Sequence, residues 1–106
     1  MATVIDITNK IKNEEKFIKF GEKNYKVDDR KNTVIKAQAI LAGANSNDIE
    51  AIGAAMAELI GVEAVKDFDG LPLEDYLIPF YAVMACVNGK SYEETEEMFR
   101  NAANNA

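Results

Sequence analysis

Apolar positions along the chain change their spacing once, and the change separates two kinds of element. Near the start, Phe17-Ile18-Lys19-Phe20 and Tyr25-Lys26-Val27 alternate apolar with basic residues around Gly21-Glu22-Lys23-Asn24. Period-2 runs flanking a Gly- and Asn-bearing turn predict a β-hairpin over about 17–27. A hairpin alone is marginal in water, so this one is expected to lie against helices. Ahead of it, Asp6-Ile7-Thr8-Asn9-Lys10-Ile11 predicts a short helical turn with Ile7 and Ile11 on one side. From about Asp29 the period becomes helical. Val34, Ala37, Gln38 and Leu41 share one face of a helix over about 30–42, which Gly43 ends. Asn45-Ser46-Asn47 supplies N-cap candidates for a second helix over about 47–60, and Asn47 with Glu50 has capping-box spacing. Its apolar face is Ile49, Ile52, Gly53, Met56, Leu59 and Ile60. Gly61 allows a break before a shorter helix over about 62–68, where Val62, Val65 and Phe68 continue the stripe.

The stretch Val65-Lys66-Asp67-Phe68-Asp69-Gly70-Leu71-Pro72-Leu73-Glu74-Asp75-Tyr76 raises the question of a calcium loop. With Gly70 at loop position 6, Asp67 and Asp69 fall correctly at positions 3 and 5. Val65 then takes position 1 and Tyr76 takes position 12, so both anchoring ligands are missing. The better reading is a helix end, an Asp69-Gly70 turn, and Pro72 at an early position of a helix over about 72–88. Glu74 and Asp75 in its first turn complement the helix dipole. Tyr76 to Val87 is apolar almost all round, which predicts the buried centre of the fold, with Phe80 and Met84 inside and a kink at Pro79. Asn88-Gly89 ends that helix, and Ser91-Tyr92-Glu93-Glu94 is a capping box for a last one over about 91–102. Tyr92, Thr95, Phe99 and Ala102 form its inner face, and the Asn-rich tail is expected to fray. The fold class is therefore mainly α: four to five helices in one small domain spanning 1–106, with an N-terminal β-hairpin packed on it.

Composition narrows the chemistry. A chain of 106 residues with 48% apolar content suits one core. It has no long charge-free apolar run and no signal-peptide pattern, and its lone Cys86 sits in an apolar run as a buried thiol. These point to the cytoplasm. Eighteen acids against twelve bases give a net charge of −6, which opposes phosphate binding. Lysines crowd the first third, from Lys10 to Lys36, and Glu93, Glu94, Glu96 and Glu97 crowd the last; both read as solvated faces. A helix-Gly-helix at Val87 to Tyr92 invites a DNA-binding reading, but its recognition helix would carry those four glutamates to phosphates. Without any His, the commonest general base and metal ligand are missing. Gly43, Gly53, Gly61 and Gly70 are spaced as helix punctuation, and the pairs Asp28-Asp29, Glu74-Asp75 and Glu93-Glu94 have capping or surface explanations. No catalytic, metal or cofactor residues are expected, and the chain reads as a non-enzymatic binding domain.

Several segments resemble the small tail assembly chaperones of long-tailed phages and prophages of Gram-positive bacteria. They are Ile5 to Ile11, Phe17 to Phe20 with Tyr25 to Asp29, Lys31 to Ala37, and Tyr81 to Ala85 followed by Gly89 to Glu94. The resemblance implies a mostly helical protein that binds the tape-measure protein and helps recruit the tail-tube protein. It also implies action in the host cytoplasm, absence from the finished virion, and often a longer form made by a ribosomal frameshift. A small adaptor or regulatory module that binds a host or phage protein is the alternative. A chaperone of this kind must expose apolar area rimmed by charge. The hairpin and the last helix offer Phe17, Tyr25, Tyr92, Met98 and Phe99 for that protein-binding patch, unless these side chains seal the core instead. The same patch would serve a homo-oligomer equally well.

Overall fold

In the computed structural model, which describes residues 2–43 and 48–104, Lys16–Phe20 (β1) pairs antiparallel with Lys23–Val27 (β2). The turn is tighter than the four residues the sequence predicts. Phe20 pairs with Lys23, so only Gly21 and Glu22 connect the strands, while Lys23 and Asn24 join β2. A positive φ of 63° at Gly21 suits the first central position of a two-residue hairpin turn, where the backbone twist must match that of the strands. The register sets Ile18, Tyr25 and Val27 on one face, with Phe17, Lys19 and Lys26 on the other. Val27 is buried, and the next N–H, from Asp28, donates to the Leu59 carbonyl at 2.7 Å. Upstream, Thr8–Lys10 forms the predicted short turn, with Ile7 and Ile11 both exposed.

Among the described residues five helices follow: Lys31–Ala42 (α1), Ile49–Ile60 (α2), Val62–Phe68 (α3), Leu73–Asn88 (α4) and Tyr92–Asn104 (α5). Mainly helical with a packed N-terminal hairpin is the architecture the periodicities predict. α1 packs on α2, α2 on α3 and α4, and α5 on α4, while the hairpin lies across α2 and α4. Ala55, Met56, Phe68 and Val83 are completely inaccessible, and Leu59, Phe80 and Met84 complete the centre of the core. No helix among the described residues is long and apolar enough to cross a membrane.

Helix starts depart from the sequence reading in detail. Asn47, half of the predicted capping box, lies outside the described residues; Asp48 caps α2, accepting the Ala51 N–H at 3.1 Å. Aspartate is as good an N-cap as asparagine, so the role falls one residue later than predicted. Pro72 precedes α4 rather than opening it, with extended backbone (φ −56°, ψ 151°), and its carbonyl accepts the N–H groups of Asp75 and Tyr76. α4 runs through a buried Pro79 to Asn88 and ends on Gly89 at φ 65°. The last capping box forms as predicted: the Glu94 N–H donates to Ser91 Oγ at 3.1 Å, and the Ser91 N–H donates back to Glu94 Oε1 at 3.4 Å. On α5, Thr95 is buried and donates its hydroxyl to the Ser91 carbonyl at 2.9 Å. Ala102, the last predicted inner position, lies outside the described side chains, as Asn105 and Ala106 of the tail lie outside the described residues.

Two glycines carry specific burdens. Gly61 joins α2 to α3 at φ 98° and ψ 154°, a region that is essentially closed to residues with a Cβ. Gly53 lies on the apolar face of its helix, as the i, i+3, i+4 spacing predicts, and does not end it. It sits inside α2, and a Cβ there would lie 3.0 Å from the Tyr76 hydroxyl, so the missing side chain lets α4 approach α2.

Candidate protein-binding surface

The five residues expected to form one patch are distributed over four places. Phe17 is 51% exposed on the outer face of β1, opposite Lys26. Tyr25 lies on the inner face, its ring edge-on to Phe68 at 6.0 Å, and its hydroxyl donates to Asp67. Tyr92 and Phe99 converge on Tyr81, with ring centroids 6.5 and 5.7 Å away, and Phe99 also meets Phe80 at 5.3 Å. Met98 is 41% exposed. Adjacent helix positions diverge by about 100° around the axis, so Met98 leaves the face that Phe99 shares with α4. Tyr25, Tyr92 and Phe99 therefore close the margins of the core, and Phe17 and Met98 provide the exposed apolar area.

Charged groups around these residues are mostly paired. Lys16 bridges Asp29 at 3.0 Å, Lys23 bridges Asp67 at 3.3 Å, Lys26 reaches Glu15 at 3.4 Å, and Arg30 meets Asp28 at 2.8 Å. Hydrogen bonds from the Arg30 guanidinium hold the Asp28 carboxyl well below the usual carboxylate range. Glu96, grouped by sequence with the solvated acids, is only partly exposed, and it accepts the Tyr92 hydroxyl proton at 2.7 Å. Burial first, then this carboxylate, pushes the Tyr92 phenol up to about 12. A folded-state value above the unfolded one near 10 means stability present below pH 10 and lost as pH rises towards 12. The Tyr76 phenol is also raised, first by burial and then by Asp69, so alkaline titration followed by phenolate absorbance should show late-ionising tyrosine absorbance that is reduced, not abolished, in Tyr92→Phe.

Asp67, in the last turn of α3, is engaged by the protein's own groups. Asp67 receives the Tyr25 hydroxyl and the Lys23 ammonium, which ties the hairpin to α3. Asp69 closes α3 and, with Tyr76, Gly53 and Leu73, lines a cavity of about 480 Å³. Among the described residues, no three His, Cys, Asp or Glu side chains group as a metal site. Calorimetric titration with millimolar calcium is expected to give no saturable heat, and chelator should leave the thermal melt unmoved.

One feature escaped the sequence reading. α4 is not buried all round: Ile78 is 44% exposed. Ile78, Ala82 and Cys86 recur every fourth residue and face Ile18 and Phe20 of β1 across an apolar groove. Two cavities of about 390 and 350 Å³ meet there, sharing Ile18 and Ala82. Cys86 is thus half-buried in a groove wall rather than sealed in the core, and burial raises its thiol pKa. Lys16 closes one end by donating to the Cys86 carbonyl at 2.7 Å. The four-residue recurrence along α4 was the signal available, masked by the apolar residues on its other faces. No known protein family matches this chain, and no curated protein or solved structure is significantly similar to it.

Proposed function

We propose that this protein is a tail assembly chaperone of a long-tailed phage or prophage, binding an apolar part of the tape-measure protein and helping recruit tail-tube subunits. The observation that carries the reading is the amount of apolar surface left open on a charged chain. Phe17, Ile35, Val62, Leu73, Ile78 and Met98 are each 41–69% exposed while the net charge is −6. A holder of apolar segments needs such area for its client, and needs surrounding charge to remain dispersed. The segments that resemble the chaperone family span the hairpin, the start of α1, the middle of α4 and the capping box of α5. In this reading the protein is non-enzymatic, works in the host cytoplasm and leaves before the virion is finished.

The test is capture of the purified tape-measure protein encoded beside this chain's gene by the immobilised full chain. Specific capture, competed by free chain, supports the chaperone. A tape-measure protein that flows through while another host or phage protein is retained points to the adaptor reading.

A further inference from the structure

We infer that the cavity between α2, the end of α3 and the start of α4 receives an arginine side chain from an exposed segment of a partner protein. The inference is independent of the chaperone reading. Three helix ends meet at this cavity, and each brings one oxygen-bearing side chain. Glu50 comes from the first turn of α2, Asp69 follows α3, and Tyr76 lies in the first turn of α4. Its volume of about 480 Å³ falls within the ordinary range for a ligand site.

Acceptors outnumber donors there. No basic residue lines the cavity, and among the described residues neither Glu50 nor Asp69 takes part in an ion pair. Asp28, Asp29, Asp67 and Glu96, by contrast, each have a basic partner. Tyr76 is only 6% exposed, and its hydroxyl lies against Gly53, which also lines the cavity and has no side chain to cover it. A phenol oxygen accepts as well as donates. Its partner Asp69 is itself an acceptor, so the lone pairs of this buried oxygen receive no donor among the described residues. Such an atom points to a ligand that brings one.

The walls select the kind of cation. Ile49, Val65 and Leu71 are half-buried around the oxygens, and Leu73, 69% exposed, lines the cavity as well. An ammonium is compact and strongly hydrated, so entry into an aliphatic site costs it more than it costs a guanidinium. The guanidinium carries five donors, enough for two carboxylates and a phenol, and its methylene stem covers apolar wall. The net charge of −6 adds attraction for a basic segment.

Leu73 identifies the source as a polypeptide. A free guanidinium compound would leave that side chain in water. An arginine within a chain brings an apolar neighbour to cover it, which is the usual setting of an arginine anchor.

The probe is the capped peptide Gly-Leu-Arg-Leu-Gly, titrated into the isotope-labelled full chain and followed by amide chemical shifts. The amides of Glu50, Gly53, Leu71 and Leu73 should move together and saturate with a Kd of about 1 mM or below. Citrulline in place of the arginine, similar in shape but uncharged, should weaken binding at least about tenfold. Lysine in its place should weaken it severalfold. Glu50→Gln combined with Asp69→Asn should weaken binding at least about tenfold at unchanged circular dichroism, while Glu63→Gln, outside the cavity, should not change it. Four results would each overturn the proposal. They are no saturable shift at these amides, a citrulline or lysine peptide that binds as tightly, full binding by the double variant, and N-acetylarginine amide binding as tightly as the peptide. The last would assign the cavity to a free guanidinium compound instead.

Discussion

Truncation of Phe68 to Ala is expected to lower the unfolding free energy by about 3–5 kcal/mol, the upper range for buried aromatic truncations. Phe68 is completely inaccessible, and two hairpin rings meet it edge-on: Phe20 at 5.3 Å and Tyr25 at 6.0 Å. It also ends α3, a helix of seven residues. A helix that short and a two-stranded hairpin are both marginal alone, so each depends on the ring that joins them. The small side chain would leave a cavity bounded by both elements and loosen both. Chemical denaturation would measure the loss, with Glu97→Ala on the exposed face of α5 as a control expected to cost under about 0.5 kcal/mol. Equal losses at the two sites would mean that the hairpin does not rest on Phe68.

Phe99→Ser and Met98→Ser are expected to behave as opposites although they are neighbours in the chain. Phe99 is half-buried, stacked on Tyr81 at 22° and tilted against Phe80, so its loss should cost about 2–4 kcal/mol. Met98 has no such partners, and its replacement should change stability by no more than about 0.5 kcal/mol. Thermal melts of the two variants provide the comparison. If Met98 belongs to the client surface, Met98→Ser should melt normally and capture less tape-measure protein. Normal capture by a normally folded Met98→Ser would move the client surface elsewhere, with Phe17 the next position to replace.

Local periodicity made most of the fold legible. The hairpin and all five helices follow from the change of period at Asp29 and from caps such as Ser91 with Glu94. The error in the hairpin turn did no damage to the faces. Shortening the turn from four residues to two shifts the pairing by an even number, so Ile18, Tyr25 and Val27 stay inside. The same alternation places Phe17 and Tyr25 on opposite faces, which is why a single patch holding both does not form. What periodicity conveys poorly is the relation between elements. Periodicity puts Gly53 on the apolar face of its helix, yet its role there is set by Tyr76, a residue from another helix. Glu96 belongs by sequence to a solvated run, yet its position one turn after Tyr92 gives it a phenol partner. The groove along Ile78, Ala82 and Cys86 exists only because β1 crosses α4 there, and no local pattern specifies that crossing.

The Lys16 ammonium gathers groups from three distant parts of the chain: its own strand, Asp29, and a carbonyl 70 residues later at Cys86. Synthesis runs from the N-terminus, so the hairpin emerges long before the acceptor that seats it. At about 5–20 residues per second, that interval is roughly 4–14 s. A hairpin forms in microseconds, so the strands have ample time to pair, and α2 and α3, which supply the Leu59 carbonyl and Phe68, emerge before α4. The hairpin therefore docks in two stages, first on α2 and α3, and last through Lys16 when translation has passed the end of α4.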